Sequence, residues 1–234
     1  MTEGPTTDNG QLPGVNLTHS DAVAALKPGL IEGIDKLGLA LDSRQVELIL
    51  GYVGLLHKWG SVYNLTAIKD PQEILVQHVL DCLSVVPPML VRVGATARVL
   101  DVGSGAGLPA IMIAIACPMM QVVALDAVAK KVAFIQQAAL QLGLKNVSAQ
   151  HARIENIVTA DFDLIISRAF SSLRDFVEGT RGAIKAGGVW LAMKGRVPLD
   201  EIGALPQWVL AEKPVLLNVP GLSAERCLIW ISSK

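Results

Sequence analysis

Val99-Leu100-Asp101-Val102-Gly103-Ser104-Gly105-Ala106-Gly107-Leu108 is the stretch on which the fold turns. Apolar residues lead into three alternating glycines, and a second apolar run starts at Leu108. The pattern reads as a buried strand, a tight turn and a helix. Glycine lets the backbone approach a ligand closely, and the start of a helix offers unpaired N–H groups. A plain strand-to-helix turn does not need three alternating glycines. A dinucleotide fingerprint would place glycines at relative positions 1, 3 and 6. Those positions hold Gly103, Gly105 and Leu108, so a nicotinamide-dependent oxidoreductase fits poorly.

Working outward, strands and helices alternate after the loop. Strand candidates are 98–102, 121–125, 146–150, 162–166, 188–193, 215–219 and 226–231. Helical patterns cover 108–117, 128–142, 173–183 and 199–208. Strands separated by helices predict an α/β fold, a mostly parallel seven-stranded sheet with helices on both faces. Before the loop, everything from Asp21 to about Leu90 reads helical. Asp42 and Ser43 can cap a helix ending near Gly60. Asp70 caps a second, with Pro71 at its first position, that stops at Pro87-Pro88. The expected organisation is a disordered tail over 1–20, an N-terminal helical region over 21–90 and an α/β domain over 91–234.

Composition narrows the class. The chain has 234 residues, 51% hydrophobic and 18% charged, with a net charge of −1; this excludes a disordered or acidic solvating chain. The most apolar stretch, Leu108 to Met120, is shorter than the roughly 20 residues of a membrane span and contains two prolines. The first 20 residues lack Lys, Arg and an apolar core, so no secretory signal is expected. Cys82, Cys117 and Cys227 form no CxxC pattern, so neither a disulfide framework nor a metal site is expected, and a cytoplasmic location fits. Charge is unevenly spread. Residues 127–196 hold 10 basic and 5 acidic side chains, compatible with a nucleic-acid partner, although on charge alone ordinary solvated helix faces are the plainer account.

The G-x-G-x-G loop led by Asp101 resembles motif I of the Rossmann-like class I S-adenosylmethionine methyltransferases. Asp126 supports a nucleoside ligand: it ends the second strand, where a carboxylate can accept both ribose hydroxyl protons. A helix cap is the plain alternative for it. After the third strand, Ile154 and Glu155 fall where this fold lines an adenine pocket. Ser167-Arg168-Ala169-Phe170 leaves the fourth strand, where the methyl meets its acceptor. It lacks the Asn/Asp-Pro-Pro-Tyr/Phe pattern used on exocyclic amines, and no Pro-Cys pair offers a nucleophile for pyrimidine chemistry. His78 and Asp81, at i and i+3, can bond on one helix face and tie the helical region to the α/β domain.

Taken in order, Asn64-Leu65-Thr66-Ala67-Ile68, His78-Val79-Leu80-Asp81, the glycine loop with Pro109, Lys130-Lys131-Val132, Arg153-Ile154-Glu155, Ser167-Arg168-Ala169 and Lys194-Gly195 resemble the ribosomal RNA small-subunit methyltransferase G family, also called the glucose-inhibited division protein B family. The resemblance runs from about Gln45 to Lys234. It departs at Ala110 and Met112, where the family usually has Gly and Pro, and at Cys82, where Ser is usual. It implies transfer of a methyl from S-adenosylmethionine to N7 of a guanine in 16S rRNA, position 527 in standard numbering, within the 30S subunit or a precursor. It implies cofactor contacts at Gly103, Leu108, Ile154, Glu155 and Arg168, beside Asp126. Guanine N7 carries a lone pair and no proton at neutral pH, so no general base is expected, and no metal. Lys130, Lys131, Lys194 and Arg196 are candidate RNA contacts. Phe170 is a candidate stacking platform for an extruded base, although a core position accounts for it equally. A small-molecule methyltransferase and, less well, a non-enzymatic RNA-binding protein are the alternative readings; a monomer is expected.

Overall fold

The computed structural model describes residues 20–154, 157, 159–168 and 170–234. The tail expected over 1–20 lies outside them except for Ser20. Three helices open the described chain: α1 (Asp21–Ala24), α2 (Lys27–Lys36) and α3 (Ser43–Tyr63). Asp42 and Gln45 form a reciprocal capping box at the start of α3, with bonds of 2.8 and 2.9 Å. The helix runs past the expected stop at Gly60 and ends at Asn64, in the left-handed region with φ of 50°.

Asp70 caps α4 (Pro71–Ile74) by accepting the Glu73 N–H at 2.9 Å. A π-helical turn over Leu75–Leu80, α5 (Asp81–Leu83) and α6 (Val86–Val93) follow. The helical run thus does not stop at Pro87-Pro88. Those prolines occupy the first turn of α6, where their missing N–H groups have no helical partner to lose. The whole run, Pro71–Val93, is 23 residues long; its most apolar 18-residue window has a mean hydropathy of 1.7, apolar enough to cross a membrane, and 61% of that window is buried in the protein. The stretch most like a span is therefore this one and not Leu108–Met120, and it packs as a core helix.

The α/β part comprises β1 (Arg98–Val102), α7 (Ala110–Ala116), β2 (Gln121–Asp126), α8 (Ala129–Leu142), β3 (Val147–His151), β4 (Phe162–Ser167), α9 (Leu173–Thr180), β5 (Ile184–Lys194), α10 (Leu199–Gly203), β6 (Val209–Ala211), β7 (Val215–Leu217) and β8 (Arg226–Ser233). The strands form one eight-stranded sheet in the order β3-β2-β1-β4-β5-β8-β6, with β7 also on β8. Five strands are parallel, and β8 runs antiparallel to β5, β6 and β7. The sheet thus has one strand more than the seven expected. The extra strand is β6, which lies just beyond the segment expected to be helical to Trp208. Pro206, without an N–H to donate, cannot continue α10. β5 starts at Ile184 rather than Gly188: the strand passes through Gly187-Gly188, where a Cβ on Gly188 would lie 2.9 Å from the Phe162 carbonyl.

Side chains alternate between the two sheet faces, as a strand's period of two requires. Val99, Val122, Ala124, Leu164, Ile166, Leu191 and Trp230 join a core with α7, α8 and all the preceding helices. Leu100, Val102, Val123, Leu125, Ile165, Trp190 and Ile229 pack on the other face against α9. The N-terminal helices therefore share one hydrophobic core with the sheet. The order reverses at β1 and β4, the switch point at which open α/β sheets bind ligands beyond the strands' carboxyl ends.

Candidate functional site

A cleft of about 310 Å³ opens at that switch point. Val102 and Gly103 line it from the end of β1, Leu125, Asp126 and Ala127 from β2, Ala152, Arg153 and Ile154 from beyond β3, and Phe170 from beyond β4. Gly103 and Gly105 have φ of +72° and +59°, and a Cβ on either would meet nothing within 4 Å. Their backbone conformation demands glycine, and the space beside them is open. Gly107 serves packing instead: a Cβ there would lie 2.9 Å from Ile111.

Polar groups of the neighbouring strands hold the loop. The Gly103 and Ser104 N–H groups donate to the Leu125 carbonyl at 2.8 and 3.1 Å. Asp126 is 6% exposed. Its Oδ2 accepts the Gly105 N–H and its Oδ1 the Val128 N–H, each at 2.9 Å. The carboxylate thus both fixes the loop and caps the approach to α8. A carboxylate has about four acceptor sites, so two remain for hydroxyl groups in the cleft. Asp101, fully buried, accepts the Ala110 N–H through Oδ2 at 3.0 Å. Its Oδ1 is buried without a hydrogen-bond partner, and burial raises its pKa to about 6.

A second cavity, about 300 Å³, lies at the ends of β4 and β5 and the start of β8, lined by Gln77, His78, Asp81, Arg168, Met193, Lys194, Gly195 and Arg226. Arg168 borders this cavity and Phe170 the first, so the chain leaving β4 separates them. The Asp81 side chain, 3% exposed, accepts from Arg226 Nε at 2.9 Å and pairs with Arg168 at 3.6 Å. His78 bonds Thr66 Oγ1 through Nε2 at 2.7 Å, and its Nδ1 is 3.4 Å from Arg168. Burial, then the Arg168 charge, lowers its pKa to about 4. His78 and Asp81 do not bond each other as the α-helical spacing suggested. His78 sits in the π turn, whose wider winding breaks the i,i+3 alignment; each reaches the α/β part separately, through Arg168.

The candidate residues divide between these places. Gly103, Asp126, Ile154 and Phe170 line the first cleft. Phe170 also packs 5.4 Å from the Phe176 ring. Leu108 is 3% exposed within the core and donates its N–H to Ser104 at 2.9 Å. Arg168 lies in the second cavity, and Glu155 falls outside the described residues. Lys130 and Arg196 are exposed. Lys131 is 4.0 Å from Asp126. Lys194 Nζ lies 2.8 and 3.1 Å from the two Glu201 oxygens, so its charge is already matched. Arg226 escaped the sequence reading: it meets Asp81 across 145 positions, and no local pattern marks such a contact.

Residues 45–229 match the family described as rRNA small subunit methyltransferase G. A relative of that name from Methylibium petroleiphilum is 47% identical over 90% of this chain and 96% of its own length. One from Acidovorax ebreus is 50% identical over 88% of this chain and 95% of its own. The chain belongs to this family. Members are S-adenosylmethionine-dependent methyltransferases of small-subunit rRNA, and this chain is one. Solved structures share the fold. A ribosomal protein L11 methylase from Lactobacillus delbrueckii subsp. bulgaricus has a TM-score of 0.53 at 16% identity, covering 72% of this chain and 89% of that one. A SAM-dependent methyltransferase from Aquifex aeolicus has a TM-score of 0.51 at 20% identity, covering 68% and 92%.

The cleft fits the family's cofactor on its own terms. Open space beside two left-handed glycines admits a ligand against the backbone. A buried carboxylate with spare acceptor sites suits paired hydroxyl groups. Ile154, Leu125 and Phe170 supply apolar walls for a base.

Proposed function

We propose that this methyltransferase acts on N7 of a single guanine in 16S rRNA, position 527 in standard numbering. We place it in the cytoplasm, working as a monomer on the 30S subunit or a precursor. The observation that carries this reading is the pairing of the two cavities, a nucleoside cleft and an arginine-lined opening on either side of the chain leaving β4. In the cleft, Gly103 and Gly105 give access to the backbone, Asp126 takes the ribose hydroxyls, and Ile154 packs on the base. S-adenosylmethionine supplies there a methyl group on a positively charged sulfur, which a lone pair can accept without prior activation.

Guanine N7 offers such a lone pair in the plane of the ring, with no proton to remove. The task left to the protein is positioning, which is worth roughly 7–11 kcal/mol in favourable cases. Phe170, half-buried at the border of the cleft, presents a ring on which a base can stack. Arg168 and Arg226 share the single carboxylate of Asp81, which leaves positive charge facing the opening for an RNA strand. Exposed Lys130 and Arg196 extend it at the ends of β2 and β5.

The test is incubation with radiolabelled S-adenosylmethionine and 30S particles lacking the modification, followed by nucleoside analysis. Label is expected in 7-methylguanosine at one position of 16S rRNA. Label in another nucleoside, or only in small molecules, overturns the reading.

A further inference from the structure

We infer that Tyr52, on the N-terminal helix α3, is a positioning residue of the cofactor loop. The inference rests on the cofactor reading of the first cleft.

Tyr52 is fully buried. Its hydroxyl donates to the Ala106 carbonyl at 2.8 Å, across 54 positions of sequence. Ala106 lies between Gly105 and Gly107, at φ of +59° and +87°, and is itself 5% exposed. A buried carbonyl needs a donor. In a continuous helix that donor is the N–H four residues on, here Ala110. The Ala110 N–H instead bonds Asp101 Oδ2 at 3.0 Å. Of the nearby carbonyls, Ser104 accepts from Leu108 at 2.9 Å and Gly107 from Ile111 at 2.8 Å, while Gly105 has Pro109 four residues on, which has no N–H to give. Ala106 thus lies in the break in the ladder where loop becomes helix, and a residue outside the α/β part supplies its donor.

The loop is consequently held from two sides. Leu125 and Asp126 on β2 fix Gly103, Ser104 and Gly105. Tyr52 fixes the following peptide. Its ring, edge-on to Phe134 of α8 at 6.4 Å, is held in turn. A loop with three glycines has many accessible conformations, and ordering it on binding costs affinity. The hydroxyl keeps the loop in one of them before the ligand arrives, which makes the N-terminal helices part of the cofactor site.

The test is calorimetry of the full chain with S-adenosylmethionine, alongside kinetics on 30S particles. Tyr52→Phe keeps the ring and removes the donor. Affinity for S-adenosylmethionine is expected to fall about three- to tenfold, the factor of one neutral hydrogen bond. The loss should appear in KM for the cofactor rather than in kcat, with 30S affinity unmoved. A variant that melts earlier yet binds the cofactor as tightly as the parent overturns the inference, since the hydroxyl then only satisfies a buried carbonyl. Should Tyr52→Phe not fold, Phe134→Leu loosens the same ring while retaining the donor. It should weaken cofactor binding in the same direction, and unchanged binding overturns the inference. A parent chain that binds no S-adenosylmethionine defeats the cofactor reading itself, a result distinct from either.

Discussion

Replacing Asp126 with Asn separates two roles that the structure combines. The carboxylate accepts the Gly105 and Val128 N–H groups at 2.9 Å each. Asparagine keeps one acceptor oxygen and turns an NH2 group toward the other backbone N–H. One hydrogen bond to a charged acceptor is lost, and a nearly buried amide is left facing a donor. Such a bond is worth about 1.5–3 kcal/mol, which for a chain of this size lowers Tm by about 3–12 °C. Cofactor binding should suffer separately. Losing a charge-assisted bond to a ribose hydroxyl by the same amount weakens S-adenosylmethionine binding about 10- to 150-fold. Thermal melts with and without S-adenosylmethionine, paired with calorimetry, read the two effects apart. A lower Tm with unchanged cofactor affinity would refute the ribose role and leave Asp126 as a brace for the loop and the start of α8.

Other changes have distinct signatures. Gly103→Val adds a Cβ that meets no atom within 4 Å but forces a β-branched residue to φ of +72° at the edge of the cleft; the chain should fold, with a strain of about 1–3 kcal/mol, and calorimetry should detect no cofactor binding. Gly107→Ala, pressed against Ile111, should instead lower Tm more than it lowers affinity. Arg196→Ala should reduce the slope of log affinity for 30S particles against log salt by about one contact's worth. Lys194→Ala, which removes the ion pair to Glu201, should register first in thermal stability; an equal effect on salt slope from both would show Lys194 free to bind RNA. Acid should act on two groups in opposite senses. His78, held at about 4 in the folded chain against 6.5 unfolded, remains uncharged where the unfolded chain takes a proton, so its contribution to stability falls between pH 6.5 and 4. Asp101, raised to about 6 from 3.8, takes a proton first in the folded chain, so its contribution rises as pH falls through that window. Urea midpoints from pH 7 to 4 should therefore fall less steeply in His78→Gln than in the parent, and the same slope in both would refute the assignment to His78.

Much of the site was legible in the sequence because its signals are local. Three glycines within five residues can be read without knowing what surrounds them, since positive φ is a property of each residue. Asp126 at the end of an apolar run and the alternation of strand and helix are equally local, as are the caps at Asp42 and Asp70. Strand edges were less legible. The glycine pair 187-188 looks like a turn, yet β5 passes through it because the neighbouring Phe162 backbone needs the space. Only the tertiary structure decided which core the N-terminal helices join, that Arg168 faces the second cavity, and that Lys194 is matched by Glu201. It also joined Asp81 to Arg226 and Tyr52 to Ala106. The Asp81–Arg226 and Tyr52–Ala106 contacts depend on two segments far apart in the chain meeting, 145 and 54 positions from each other. No periodicity encodes that meeting: a hydroxyl or guanidinium takes its partner from the packing of whole elements, and that is set by the sheet's order and its two cores.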